Sequence, residues 1–247
     1  MKTSLIFFSL LVAASTAAQT PVDELMYQAY LQRSKSLWTK ALETQQAESK
    51  NATTDFSKQL RLAFVYSSLL NGSMAMPDED FFDAHVDAAK KLTKKLIDQN
   101  PKSGEAAAIL SGIYGNEMGY SPMKGMTLGS KSSSVAEKAT VLQPDSPLVW
   151  RVYANSKFYT PAAFGGDMKE AVKALEKCVA LLEESNQPLA SNWMYLDTLA
   201  FLGQAYQKTG DQAKAIATYE NALTVEPQFG WIKNVLLPAA RKAAQSK

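Results

Sequence analysis

Two consecutive helical patterns occupy residues 197–227, and this stretch constrains the fold more than any other. In both patterns, apolar and small residues recur every three or four positions, which is the spacing of one helix face. Gly210 can end the first helix in the left-handed conformation, Asp211 can cap the second, and Pro227 can stop it. We therefore predict two helices in close contact. The packing residues of this unit are Leu202, Gly203, Tyr206, Ala215, Tyr219 and Ala222.

This stretch resembles a tetratricopeptide repeat. The family's Leu-Gly, Tyr, Ala, aromatic, Ala and Pro positions are met here, in that order, by Leu202-Gly203, Tyr206, Ala215, Tyr219, Ala222 and Pro227. The resemblance implies a helical unit that stacks on copies of itself and a function in protein binding. The implied function rests on analogy of fold, because the pattern of residues does not identify a binding site.

Helix-ending prolines suggest that the unit recurs along the chain. Pro101, Pro144, Pro188 and Pro227 are 43, 44 and 39 residues apart, against roughly 34 in a plain tetratricopeptide repeat. We assign the surplus to loops, including one at 119–129. The predicted helix pairs lie at about 54–100, 103–143, 146–184 and 191–226, before a capping helix at 229–245. An N-terminal helical segment at 22–50, either one long helix or two end to end, precedes them.

The predicted fold is all-α: a right-handed superhelical stack of antiparallel helix pairs, a tetratricopeptide-like α-solenoid with a C-terminal capping helix. Aligning the third pair on the fourth places Ala171 and Cys178 at the positions of Ala215 and Ala222. These positions require small buried residues. Cys178, the only cysteine, is therefore expected to pack rather than to react.

Residues 1–18 have the features of a signal peptide. Lys2 precedes a short apolar run at 5–14, and small residues at 15–18 form a cleavage region ending at Ala18. The apolar run is about half the roughly 20 residues that a membrane span needs. We expect the domain at 19–247 to be exported, either periplasmic or secreted; the alternative is that this run forms a buried first helix.

The composition gives little sign of enzymatic or nucleic-acid chemistry. The formal net charge is only +2, so no nucleic-acid partner is expected. His85 is the only histidine, and the sequence shows no catalytic triad pattern and no phosphate-binding glycine motif. We predict no enzyme activity, cofactor, metal site or membrane span. The sequence does not indicate an oligomeric state.

The loops within the helix pairs carry apolar residues that suggest a binding edge. Equivalent loops of a helical solenoid lie along one side, so these residues can form a common strip. The candidates are Met74, Met76, Met118, Met123, Met126, Tyr159, Pro161 and Phe164. Three interpretations remain open: a surface for a partner or ligand, loops folded over the core, and a thioether site for copper(I).

The sequence thus favours a non-enzymatic, exported scaffold that holds a protein or peptide on its concave surface or loop edge. One alternative is an accessory protein for transport that binds a lipid or other small molecule in a pocket closed by the long loops. An enzyme is a further alternative, which would need a cleft of carboxylates or lysines with shifted pKa values. An enclosed cavity between the methionine-rich loop and Phe164 would favour the small-molecule alternative.

Overall fold

The computed structural model describes residues 20–76, 78–185 and 188–245, so the predicted signal peptide lies outside the described residues. Within those ranges the chain forms α-helices and no strands. The helices are α1 (Pro21–Gln32), α2 (Lys35–Ser49), α3 (Phe56–Ser73), α4 (Glu79–Gln99), α5 (Gly104–Tyr120), α6 (Gly125–Leu142), α7 (Pro147–Tyr159), α8 (Met168–Glu184), α9 (Trp193–Thr209), α10 (Gln212–Val225) and α11 (Leu237–Gln245).

The helices pack in successive pairs, α3 with α4, α5 with α6, α7 with α8, and α9 with α10. The first helices of neighbouring pairs also contact one another, since α5 packs against both α3 and α7. Helix α11 covers α10 at the end of the stack. The predicted all-α stack of helix pairs with a final covering helix is therefore confirmed.

Local capping explains where most of the helices begin. A side-chain oxygen of the preceding residue accepts a backbone N–H from the first turn, which satisfies a donor that the helix itself leaves free. The caps are Thr20, Ser34, Asp55, Asp78, Ser103, Asp167, Asn192 and Asp211. Gly210 ends α9 at a φ of 90°, in the left-handed conformation expected for it.

Three parts of the chain differ from or refine the predicted boundaries. The segment at 22–50, expected to be one long helix or two end to end, is two helices, because Arg33 adopts a left-handed conformation and Ser34 caps α2. The loop expected at 119–129 is mostly helical. Gly119 lies near the end of α5, where a Cβ added to it would lie 2.5 Å from the methyl carbon of Met74. The helix expected at 229–245 contains a widened π turn at Ile232–Leu236, which ends two residues before Pro238, and proline has no N–H to continue the α-helical pattern.

Trp193, the first residue of α9, joins the two ends of the stack. Its ring lies 5.7 Å from Tyr30 of α1, 5.9 Å from Trp38 of α2 and 6.4 Å from Phe64 of α3, measured between ring centroids. The guanidinium of Arg151 in α7 lies 5.2 Å from the ring centroid. Trp193 is almost fully buried. Helices that are far apart in sequence therefore share one aromatic core.

A buried ion pair lies beside this core. The Arg151 guanidinium donates two hydrogen bonds to Oδ2 of Asp197, and the Tyr30 hydroxyl donates one to Oδ1 at 2.9 Å. Arg151 and Asp197 are each less than 5% exposed. Burial, the Asp197 charge and this hydrogen bond raise the pKa of Tyr30 well above its usual value, so its hydroxyl stays protonated as a donor. The network ties α1, α7 and α9 together.

The last helix pair is held by close contact at Gly203. A Cβ on this residue would lie 2.2 Å from the ring of Tyr219, which is fully buried and donates a hydrogen bond to Gln207. Ala215 and Ala222 on α10 are also fully buried. This geometry accounts for the small residues in the sequence pattern, since larger ones would separate the two helices.

The contact at Gly203 predicts that Gly203→Ala lowers the free energy of unfolding by about 1–2 kcal/mol, because overpacking outweighs the helix-propensity gain. Gly115→Ala is the matched control: Gly115 is an exposed helical glycine whose added Cβ would meet nothing within 4 Å. It should raise the stability by about 0.5–1 kcal/mol. Urea unfolding of both variants measures the difference. A stabilised Gly203→Ala protein would show that α9 and α10 do not meet as described.

The buried ion pair predicts that Arg151→Met lowers the free energy of unfolding by about 3–5 kcal/mol, because Asp197 is left charged and buried. The double variant Arg151→Met with Asp197→Leu should recover much of this loss. Lys173→Met is the control, since Lys173 forms an exposed pair with Glu170 whose removal should leave the free energy of unfolding nearly unchanged. Equal losses in the two single variants, measured by urea unfolding, would contradict the network.

Candidate partner-binding surfaces

The inner face of the stack is filled where its two ends meet. Tyr30 contacts Phe229 at 5.5 Å as well as Trp193, and Tyr27 donates a hydrogen bond of 2.6 Å to Glu226. Helix α1 therefore lies against α9 and the segment after α10. The chain's own N-terminal helix thus occupies the face of α9 in this part of the molecule.

The connections within the helix pairs form a separate edge, which we call the connection edge. It comprises residues 74–76, 121–126, 159–167 and 208–211. Residues that flank neighbouring connections touch: the Tyr120 hydroxyl donates to the Ser73 carbonyl at 3.1 Å, and the Lys208 ammonium lies 4.3 Å from the Phe158 ring centroid. Antiparallel pairing thus places these connections on one side of the stack.

Exposed large apolar side chains are concentrated on this edge. Of the seven among the described residues, five lie on it: Met74, Met123, Met126, Tyr159 and Phe164. Met126 is 90% exposed, Met123 82% and Phe164 78%. Scattered single apolar residues are ordinary on protein surfaces, whereas large contiguous apolar patches are typical of interaction surfaces.

The other candidate residues take different environments. Met74 covers Gly119 although it remains partly exposed, and Met76 and Met118 are half-buried. Pro161 is exposed at the start of the third connection.

Met126 and Glu137 lie on the same helix, α6, separated by 11 residues or roughly 16 Å. Because Glu137 pairs with Lys157 near Phe164, the methionines and the third connection form neighbouring patches rather than one cluster.

An aromatic patch extends from the third connection. Tyr159 lies 5.9 Å from Phe201 of α9, which lies 6.2 Å from Trp231 near the C-terminal end. Phe201 and Trp231 are both partly exposed. Sequence reasoning missed these two residues as candidates. Phe201 belongs to a regular helical pattern, and only the fold brings it next to Tyr159.

A cleft lined by lysines was also missed. It lies between α4, α5 and α6 and has a volume of about 320 Å³. Lys90, Lys94, Lys124 and Lys131 line it together with Glu117. The available sequence signal was the spacing of Lys90 and Lys94, which places both on one face of α4.

Cys178 and His85 have ordinary structural surroundings. The Cys178 thiol is fully buried and donates to the Pro147 carbonyl at 3.2 Å. Burial raises the pKa of this thiol to about 11, which disfavours the reactive thiolate. His85 Nδ1 donates to the Phe81 carbonyl at 2.8 Å, and its ring lies 5.0 Å from that of Phe81.

No group of three or more His, Cys, Asp or Glu side chains within residues 20–76, 78–185 and 188–245 is placed to hold a metal ion. Within the same ranges, no helix combines the length and the apolar composition needed to cross a membrane.

Comparisons with known proteins agree with this architecture. The tetratricopeptide repeat family model matches residues 196–229. A thermophilic tetratricopeptide-repeat protein of Thermus thermophilus aligns over 92% of this chain and 98% of its own, with 17% identity and a TM-score of 0.56. The HusA haemophore of Porphyromonas gingivalis aligns over 79% of this chain and 96% of its own, with 18% identity and a TM-score of 0.57.

No curated protein matches the chain. At identities of 17% and 18%, the structural likenesses show the fold alone. The family match lies on the helix pair whose packing residues were identified from the sequence pattern. The chain therefore carries a tetratricopeptide repeat at 196–229 and has the fold of tetratricopeptide-repeat proteins.

Proposed function

We propose that this chain is a non-enzymatic scaffold that binds a partner polypeptide along the connection edge. The observation that carries the proposal is the concentration of exposed apolar side chains on that edge, including Met123, Met126, Tyr159 and Phe164. Burying such side chains against a partner supplies the main driving force for association. Tetratricopeptide repeats are interaction units, and this general role agrees with the proposal.

The filled inner face supports the edge as the binding surface. A peptide placed between α1 and α9 would have to displace Tyr30 from Trp193 and from the Asp197 carboxylate. Those contacts belong to the buried core. The connection edge presents its apolar groups without such a rearrangement, so binding there avoids the loss of native packing.

We also propose that the protein acts outside the cytoplasm, in a periplasm or as a secreted protein. This part of the proposal rests on the sequence of residues 1–18, with its basic start, apolar run and small residues before Gln19. The single cysteine rules out an intrachain disulfide, so stability in such a compartment must rest on packing.

The small-molecule alternative has weaker support. One structural relative is named a haemophore, which makes haem a reasonable probe for this chain. However, Met126 and Phe164 face solvent instead of lining an enclosed cavity between them. A pocket that buries most of a small ligand is the usual requirement for tight binding. The exposed edge therefore favours a polypeptide partner.

Capture of partners with edge variants tests the proposal. The purified protein, Met123→Ser with Met126→Ser, and Tyr159→Ser with Phe164→Ser are immobilised and exposed to the extracytoplasmic fraction of the source organism. Val141→Ser is the matched control, because Val141 is 80% exposed but lies at the far end of α6. These surface changes should alter stability by about 0.5 kcal/mol or less.

We expect one polypeptide to be retained by the wild-type and Val141→Ser proteins and reduced at least tenfold by an edge variant. Equal retention of the polypeptide by all variants would show that the connection edge is not the binding surface. Haem added to the purified protein provides the second readout, followed by its absorption spectrum. Tight haem binding without any captured polypeptide would overturn the scaffold proposal and support the small-molecule alternative.

A further inference from the structure

The lysine-lined cleft between α4, α5 and α6 has a defined internal arrangement. Glu117 of α5 is 4% exposed and accepts hydrogen bonds from Lys90 at 2.9 Å and from Lys124 at 3.3 Å. One buried carboxylate thereby holds ammonium groups from two different segments at the cleft. Burial tends to lower the pKa of Lys90, but its hydrogen bonds to Glu117 and Asp87 outweigh this effect and raise it, so Lys90 stays charged.

The cleft carries more positive than negative charge. Lys94 and Lys131 also line it, and neither forms an ion pair with a carboxylate among the described residues. The Lys131 ammonium lies 5.4 Å from the ring centroid of Tyr114. Asp87, which pairs with Lys90, has a largely exposed side chain. Four lysines and one glutamate, Glu117, thus line the cleft, although the whole chain has a formal net charge of only +2.

Apolar groups adjoin this charge. Lys124 lies between Met123 and Met126 in sequence, and both methionines are exposed on the connection edge. A ligand bound in the cleft therefore lies beside the segment that carries these thioether side chains, because Lys124 belongs to both. This arrangement suits a chain that carries both apolar and acidic side chains, because each kind finds a complementary surface.

We infer that the cleft binds an acidic segment of a partner polypeptide, with carboxylates at Lys94 and Lys131 and an apolar side chain against Met123 and Met126. This inference rests on the proposed scaffold function and gives the partner a chemical character. A free inorganic anion would leave the methionines unused. A nucleic acid would require a longer basic track, since its binding energy comes chiefly from many phosphate contacts.

A random 12-residue peptide library displayed on phage tests the inference. Selection on the wild-type protein is followed by anisotropy measurements with the enriched peptides on purified variants. The test variant is Lys94→Gln with Lys131→Gln, which spares the Glu117 interactions. The control is Lys138→Gln with Lys177→Gln, which makes the same change in net charge at exposed lysines outside the cleft.

We expect the enriched peptides to contain Asp or Glu together with large apolar residues, and to bind the test variant at least tenfold more weakly. The control should change the dissociation constant by less than twofold, and Gln in place of the peptide's acidic residues should abolish binding. No enrichment, enrichment of non-acidic peptides, or equal weakening by both double variants would overturn the inference. Binding of inorganic phosphate or single-stranded DNA to the wild-type protein, with no acidic peptide bound, would also overturn it.

The two proposals fail in different ways. If the captured native partner depends on Met123 and Met126 but binds the Lys94→Gln, Lys131→Gln protein normally, the acidic-segment inference is wrong and the scaffold function stands. If the captured partner is indifferent to the edge variants while selected acidic peptides still require the lysines, the cleft binds peptides but the connection-edge proposal is wrong.

Discussion

The packing of Trp193 against Tyr30, Trp38 and Phe64 is the interaction on which the rest of the structure depends. It brings the beginning of the chain to its last repeat, and the Arg151–Asp197 pair adds a polar connection beside it. A simple stack of helix pairs is stabilised mainly by contacts between neighbours. Here the first helix also contacts the fourth pair, so the ends of the stack share one core.

This closure determines which surfaces remain for a partner. The inner face between α1 and α9 is occupied by aromatic and charged side chains of the chain itself. The connection edge instead exposes methionines and aromatic residues beside a cleft with several lysines. The proposed scaffold therefore uses the side of the stack, where apolar and positive surfaces adjoin.

The sequence predicted the parts of the fold that depend on local spacing. Gly203, Gly210 and Tyr219 have the packing and turn positions that their pattern implied, because close helix packing restricts residue size at each position. Two helices end to end were one of the expectations for 22–50, but the position of the break at Arg33 was not predicted, since arginine has no strong preference for the left-handed conformation found there. The Trp193 core, the Phe201–Tyr159 contact and the lysine-lined cleft depend on residues distant in sequence, and local periodicity contains no information about such pairings.

Hydrogen exchange of the purified protein tests most directly whether the two ends of the stack form one core. Backbone amides of α1 and α9 can be followed separately by mass spectrometry of peptides cut after exchange. The account predicts that protected amides of α1 exchange as slowly as those of α9, because opening α1 requires loss of the shared core. Rapid exchange throughout α1 while α9 remains protected would show a frayed terminal helix and contradict the closure.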